Sequence, residues 1–125
     1  MTSLEIAQEA VRALDSKKAL DLRLIGIRDI SSLADYFVLA SATSSTQAKA
    51  LSEEVEYRLS QKGVEPDHLE GRNANTWILL DYETVIVHIF VGKTRDFYDL
   101  ERLWKDGEVL PLEALIGAQS SDGNS

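Results

Sequence analysis

The stretch NTWILLDYETVIVHIFV, residues 75–91, decides the fold. It contains two runs rich in aliphatic and aromatic side chains, 76–81 and 84–91, separated by Tyr82 and Glu83. Two such runs on either side of a short polar break are typical of a β-hairpin. We therefore predict two antiparallel strands joined by a two-residue turn at Tyr82 and Glu83.

Both faces of this hairpin are apolar. Successive side chains of a strand point to opposite faces, and the predicted turn sets Leu79 opposite Ile86 and Trp77 opposite His88. One face then carries Trp77, Leu79, Ile86, His88 and Phe90, with Asp81 at its rim. The opposite face carries Ile78, Leu80, Val85, Val87 and Ile89. Either helices cover both faces, or one face is covered in part and meets a partner. A mixture of Trp and His with a rim acid is typical of a partner-facing patch, and burial in the core is the alternative for each residue singly.

Three segments have the apolar spacing of helices. Apolar residues recur every three or four positions over 3–17, 44–63 and 93–104. Thr2 and Ser44 are each followed three residues later by Glu or Gln, which is the spacing of a capping box. In the last helix we expect the core side to be formed by Leu100, Leu103 and Trp104. The side that could stay accessible holds Arg95, Tyr98 and Arg102.

Three further segments are predicted to be strands. They lie near 21–27, at 36–41 and within 64–71. The last is a short strand or an extended segment, and Pro66 favours a position at the sheet edge. With the hairpin, the chain alternates helices and strands without an internal repeat or a linker. This order predicts an α/β (α+β) fold with a mixed five-stranded sheet flanked by helices.

The composition fits one soluble domain. The chain has 125 residues, of which 44% are hydrophobic and 27% charged, and it has no cysteine, which excludes disulfides, thiolate nucleophiles and cysteine-ligated zinc. No apolar run approaches the roughly 20 residues of a membrane helix, and the first residues lack the pattern of a leader peptide. We expect a single cytoplasmic domain over 1–116 and a disordered tail over 117–125.

The charge balance favours a basic protein partner. Acids outnumber Lys and Arg by 21 to 13, a formal net charge of −8, and the cations are scattered among carboxylates. Nucleic-acid binders gain most of their affinity by neutralising phosphates, so direct binding to RNA or DNA is disfavoured as the main activity. A basic protein surface is a better electrostatic match.

Features that could carry catalysis each have a plainer explanation. SATSS, 41–45, follows a strand and opens a helix, but it has no glycine or lysine of a P-loop, so a helix cap is the simpler interpretation. His88 would need Ser44 or Ser45 within reach to act as a general base. Only His68 adds a second imidazole, and no Asp-x-Asp pair occurs. We predict no catalytic residue, metal or cofactor, and an enzyme that uses His88 with one of these serines stays open as the alternative.

Four motifs, taken in order, resemble one known family. They are DISSLADYFVLASATSSTQAKALSEEVE (29–56), GRNANTWILLDY (71–82), VIVHIF (85–90) and RDFYDLERLW (95–104). Each alone is weak, but together, from about Asp21 to Trp104, they closely resemble the ribosomal silencing factor family, also called Iojap-like.

The resemblance implies a function that composition does not reveal. Family members bind the large ribosomal subunit on its intersubunit face, through its fourteenth ribosomal protein, which is basic and β-rich. Bound there, they obstruct joining of the small subunit and lower translation when nutrients are scarce. Relatives in organelles assist large-subunit assembly, so an assembly factor without silencing stays open, as does a homodimer of the free protein. The implied fold is similar to that of nucleotidyltransferases without their activity.

The resemblance also implies a set of partner-binding residues. The positions that match the family's elements are Trp77, Leu79, Asp81, Tyr82, His88, Tyr98 and Asp99. Among them, Trp77 is expected to be the apolar anchor. The chain departs from the family at the turn, where Glu83 and Thr84 stand in place of a common glycine. Two-residue turns favour residues that tolerate a positive φ, so this departure bears on where the turn lies.

Overall fold

A six-stranded mixed sheet forms the centre of the computed structural model, which describes residues 1–73, 76–97, 106–113 and 115–116. The helices are α1 (Ser3–Ser16), α2 (Ser45–Gln61) and α3 (Thr94–Phe97). The strands are β1 (Leu20–Gly26), β2 (Tyr36–Ala42), β3 (His68–Glu70), β4 (Trp77–Asp81), β5 (Val85–Val91) and β6 (Glu108–Val109). Their order across the sheet is β3-β4-β5-β2-β1-β6. Strands β2 and β5 are parallel, and the other neighbouring pairs are antiparallel. The predicted fold class is confirmed.

The sheet has one strand more than predicted. Strand β6 is only two residues long and pairs with β1, where Val109 lies opposite Ile25. Two residues are too few to create the alternation that identifies a strand in a sequence. Strand β3 forms the other edge of the sheet, as Pro66 indicated. Proline cannot donate a hydrogen bond to a sheet partner, so it is found mainly at sheet edges.

Helix α1 begins with the predicted capping box. The Thr2 hydroxyl accepts from the Glu5 amide at 3.1 Å, and the Glu5 carboxylate accepts from the Thr2 amide at 2.7 Å. The hydrogen bond from the Thr2 backbone is the main reason why the pKa of Glu5 lies below its ordinary value. Two of the four unpaired amides at the helix start are thereby satisfied.

Helix α2 begins with only half of the predicted box. The Ser44 hydroxyl accepts from the Gln47 amide at 3.1 Å. The Gln47 side-chain oxygen accepts from the Thr43 amide at 2.7 Å rather than from that of Ser44. The second part of this prediction was therefore wrong by one residue, and Ser44 is engaged as a helix cap.

Helices α1 and α2 pack on the same face of the sheet and form the first core cluster. The helices contribute small and aliphatic residues, and the hairpin contributes its aliphatic face, which is even-numbered in β4 and odd-numbered in β5. Fully or nearly fully buried members include Ala7, Ala10, Leu14, Leu51, Val55, Ile78, Leu80, Val85, Val87 and Ile89. Between the helices, the buried carboxylate of Glu9 lies 3.2 Å from Lys62 Nζ and 3.5 Å from an Arg12 guanidinium nitrogen. A buried charge of this kind must be paired to be tolerated.

The hairpin turn lies one residue later than predicted. Its central residues are Glu83 and Thr84, and the Tyr82 amide donates to the Val85 carbonyl at 2.9 Å. Glu83 adopts a left-handed backbone with φ of 73°, and its amide donates to the Asp81 carboxylate at 2.7 Å. An aspartate that accepts from the amide two residues ahead is a common way to fix a turn.

The later turn changes the strand register but not the faces. Leu79 lies opposite His88 rather than Ile86, and Trp77 lies opposite Phe90. The predicted partners were therefore wrong by two positions. Because side chains alternate with a period of two, a shift of two leaves every side chain on its predicted face.

Helix α3 is described only in its first turn. The predicted helix 93–104 is otherwise untested, because Tyr98, Asp99, Leu100, Arg102, Leu103 and Trp104 lie outside the described residues. Arg95 belongs to the side that could have stayed accessible, but it is buried at 7% exposure. Its guanidinium donates to the Asp21 carbonyl at 2.7 Å and to the Ser41 hydroxyl at 3.0 Å, which joins α3 to β1 and β2.

No helix within the described part of the chain is long and apolar enough to cross a membrane.

Candidate functional site

An aromatic cluster occupies the sheet face opposite α1 and α2. Its members are Phe37, Trp77, His88 and Phe90. The Trp77 ring stacks on His88 and on Phe90, each at 5.5 Å between centroids, with interplanar angles of 25° and 20°. Phe37 meets His88 edge-on at 4.7 Å. These are favoured geometries for aromatic pairs, so the rings hold one another in place.

One hydrogen bond fixes the orientation of Trp77. Its indole nitrogen Nε1, which can only donate, lies 3.2 Å from Nδ1 of His88. The imidazole must therefore be neutral at Nδ1 and carry its proton on Nε2. His88 is only 5% exposed, and this burial lowers its pKa from 6.5 to about 4. The imidazole is thus a neutral acceptor at physiological pH.

This arrangement is poor for general-base chemistry. The nitrogen of His88 that could take a proton is occupied by Trp77, and a pKa of about 4 is far from the neutral value that suits a general base. Ser44 caps α2, and among the described residues no hydroxyl is hydrogen-bonded to His88. The same part of the chain contains no group of three His, Asp or Glu side chains placed to hold a metal.

The outer members of the aromatic face remain partly exposed. Trp77, Leu79 and Ile86 are half-buried, in contrast to the completely buried Phe90. Asp81, at the end of β4, is also half-buried on this face. The structure thus brings Trp77, Leu79, Asp81 and His88 together, as the alternation of side chains predicted.

Tyr82 does not join these four residues. It is 6% exposed and packs into the first core cluster on the opposite face. Its hydroxyl has no hydrogen-bond partner among the described residues, and burial raises its pKa. Tyr98 and Asp99 lie outside the described residues. Successive side chains of a strand point to opposite faces, so alternation alone places Tyr82 on the other face of the sheet from Asp81. Its separation from the other four residues was therefore foreseeable.

A small pocket opens beside Trp77. It has a volume of about 230 Å³ and is lined by Glu70, Gly71, Thr76, Trp77 and Leu79. Sequence reasoning missed Glu70 and Gly71 as site residues. They reach the hairpin only through the pairing of β3 with β4, in which Glu70 lies opposite Leu79. The signal that could have found them was the glycine that ends an edge strand.

A second, more polar cavity lies at the far end of β1. It measures about 310 Å³ and is lined by Gly26, Arg28, Asp29, Ile30, Tyr36, Asp106, Gly107 and Glu108. The Arg28 guanidinium lies 3.4 Å from the Asp35 carboxylate and 5.7 Å from the centre of the Tyr36 ring. Its cation therefore already has partners within the chain, and the cavity otherwise presents carboxylates.

Comparisons with known proteins agree on one family. The family model described as "Ribosomal silencing factor during starvation" matches residues 1–125. The ribosomal silencing factor of Halalkalibacterium halodurans is 35% identical over 93% of this chain and 99% of its own length. A mouse protein named "Mitochondrial assembly of ribosomal large subunit protein 1" is 28% identical over 87% of this chain and 54% of its own length.

A solved structure supports the same assignment. A crystal structure of a Chromobacterium violaceum protein superposes with a TM-score of 0.80 and 33% identity, covering 84% of this chain and 88% of that one. Sequence and fold therefore agree over most of the molecule. The chain belongs to the ribosomal silencing factor family.

Proposed function

We propose that this protein binds the large ribosomal subunit through the face that carries Trp77 and, once bound, keeps the small subunit from joining. The observation that carries the proposal is the partly exposed strip of Trp77, Leu79 and Ile86 with Asp81 at its rim. Family membership supports a ribosomal role. The mechanism needs no chemistry, because a folded domain at the subunit interface occupies space that the other subunit must fill.

The partner that best fits this face is a basic protein of the large subunit, and we propose its fourteenth protein. The chain carries a net charge of −8, and complementary charge speeds encounter and orients docking. An ordinary protein interface buries roughly 800 Å² on each partner, which is within reach of one face of a domain this size. These charges also make association slower at higher ionic strength.

Within this interface, Trp77 is the proposed anchor and Leu79 and Asp81 its neighbours. His88 is a positioning residue, because it orients Trp77 through their hydrogen bond. Tyr82 is buried on the other face, and we propose that it positions the hairpin turn. Tyr98 and Asp99 stay proposed contacts on the strength of the family motif alone.

The face that carries Trp77 would also be covered in a homodimer of the free protein. Such a homodimer would compete with ribosome binding in the cytoplasm.

Replacing Trp77 tests the proposal. Truncating a central tryptophan typically costs about 2 kcal/mol or more, so Trp77→Ala should weaken binding to purified large subunits on the order of 30-fold. In sedimentation of mixed subunits, the wild-type protein should migrate with large subunits and reduce whole ribosomes, and the variant should do neither at the same concentration.

A matched control separates loss of the anchor from loss of any exposed aromatic. Tyr57 is 61% exposed on α2, on the opposite layer, so Tyr57→Ala should bind like the wild type. Unchanged affinity of a folded Trp77→Ala protein would remove Trp77 from the interface. Failure of the wild-type protein to bind large subunits at all would refute the function.

A second candidate, assembly of the large subunit without silencing, is favoured by the similarity to the mouse protein named for mitochondrial assembly of the large subunit. The two candidates use the same surface but act on different particles. A silencing factor should block joining of mature purified subunits, whereas an assembly factor should leave joining intact. Its deletion should instead cause precursors of the large subunit to accumulate.

A further inference from the structure

We propose that the pocket beside Trp77 receives one arginine side chain of the basic partner, with Glu70 as the carboxylate that pairs with it. The proposal rests on the proposed function, since it specifies how that face recognises its partner. Four features of the pocket carry it: how it is formed, what lines it, its size and its charge.

The pocket exists because of Gly71. This residue has a left-handed backbone with φ of +84°, and an added Cβ would overlap the carbonyl oxygen of Trp77. The chain can therefore leave β3 and pass close to β4 only where no side chain is present. The result is a recess at the side of the tryptophan.

The walls combine an apolar surface with one available acid. Trp77 and Leu79 line one side, and Glu70 lies directly opposite Leu79 in the strand pairing. Glu70 is exposed, and it forms no salt bridge among the residues that the structure describes. By contrast, the buried carboxylate Glu9 is already paired with cations of the chain itself. Glu70 is thus free to pair with a cation from outside.

The size of the pocket points to a single side chain. Small-molecule sites usually measure roughly 300–1,000 Å³, and this pocket measures about 230 Å³. A long, partly apolar side chain with a charged end fits such a recess, because its stem packs on Trp77 and Leu79 while its head meets the carboxylate.

Arginine fits better than lysine. A guanidinium is planar, stacks on aromatic rings, and binds a carboxylate through two parallel hydrogen bonds. Trp77 offers the ring and Glu70 the carboxylate, and both line this one pocket. An ammonium would gain the charge pairing but not the stacking or the second hydrogen bond. The occupant that uses every wall of the pocket is therefore an arginine.

Charge removal at Glu70 tests the inference on large subunits. Hydrogen bonds to charged groups are stronger than neutral ones, so Glu70→Gln should weaken binding about tenfold and should flatten the dependence of affinity on salt. The matched control is Glu53→Gln, which removes the same charge from an exposed position on α2 and should bind like the wild type. Equal affinity of Glu70→Gln and the wild type would overturn the inference while leaving the proposed function intact. If the wild type itself fails to bind, the proposed function fails first.

The choice of arginine is tested on the free protein. N-acetylarginine amide and N-acetyllysine amide are titrated separately while NMR follows the indole N–H resonance of Trp77. We expect arginine to shift this resonance at a concentration at least several-fold lower than lysine, and Glu70→Gln to remove the difference. Equal responses to the two compounds would overturn the assignment of arginine.

Discussion

Acidification should destabilise the protein in part through the buried side chain of His88. Burial lowers its pKa in the folded state to about 4, whereas the ordinary value of 6.5 applies to the unfolded chain. Between these two values the unfolded state binds the additional proton. The free energy of unfolding therefore falls as the pH drops from about 6.5 to about 4, and this contribution levels off below that.

The two pKa values set the size of the effect. At about 1.4 kcal/mol per pKa unit, their separation corresponds to roughly 3 kcal/mol when the window has been crossed. Protonation of His88 also places a proton on Nδ1, so Trp77 loses the acceptor that lies 3.2 Å away. Because the folded protein takes up this proton only around the lower pKa of about 4, its affinity for large subunits should decline only as the pH approaches about 4.

Urea unfolding followed by circular dichroism measures the effect between pH 7 and 4.5. Because carboxylates also titrate at the acidic end, the quantity to compare is the difference between the wild type and His88→Asn, which keeps an acceptor near Nδ1 but cannot be protonated. We expect the variant to be less sensitive to acid. His68 is exposed, so His68→Asn serves as the control and should retain the wild-type dependence. Identical profiles for the wild type and His88→Asn would refute the assignment of His88 as a buried neutral acceptor.

Two further predictions concern the pocket and the alternative chemistry. Gly71→Ala should lower the free energy of unfolding by more than Gly63→Ala, because both glycines have a positive φ but only at Gly71 would the new Cβ overlap the chain. In thermal unfolding, Gly63→Ala should cost about 1–2 kcal/mol. Equal costs for the two substitutions would contradict the close approach of the chain at Gly71. A nucleotide with Mg²⁺ should not raise the melting temperature, since SATSS (41–45) lacks the glycines and lysine of a P-loop and the chain has no Asp-x-Asp pair. Reproducible stabilisation would favour the enzymatic alternative.

Much of the fold could be predicted because local patterns and tertiary packing agree. The helix of α1 begins at its capping box, and its apolar stripe faces the sheet. The two faces of the hairpin followed from alternation alone, and their assignment was correct although the turn was placed one residue too early. Patterns of this kind depend on spacing rather than on partners, so the sequence is sufficient to identify them.

The register of the hairpin could not be predicted from the same patterns. Turns at 82–83 and at 83–84 both leave apolar residues paired with apolar residues. The choice depends on Glu83 adopting a positive φ, which is uncommon for this residue type. The Asp81 carboxylate and the buried ring of Tyr82 together favour the later turn. The first is a local contact that fits either a turn or a loop, and the burial of Tyr82 against the helices arises only once the sheet has assembled.

The pocket residues were missed for a different reason. Glu70 and Gly71 precede Trp77 by seven and six positions in the sequence, and the antiparallel pairing of β3 with β4 brings them together. A three-residue strand carries too little alternation to fix such a pairing in advance. Gly71 begins the motif GRNANTWILLDY, but its place in the candidate site, like that of Glu70, depends on the pairing at the edge of the sheet.

Both faces of the hairpin are apolar in the sequence, but the structure shows that their side chains differ in type. The face covered by α1 and α2 is aliphatic, and small helical residues such as Ala7 and Ala10 allow the helices to approach it closely. The other face is aromatic, and Trp77 is held by stacking on His88 and Phe90 as well as by its hydrogen bond. A large side chain that is already ordered loses little conformational freedom when a partner covers it, and binding then retains more of the energy of contact. If Trp77 is the anchor as proposed, the aromatic cluster holds it ready for binding. A substitution at His88, beneath Trp77, should then weaken docking although His88 does not contact the partner.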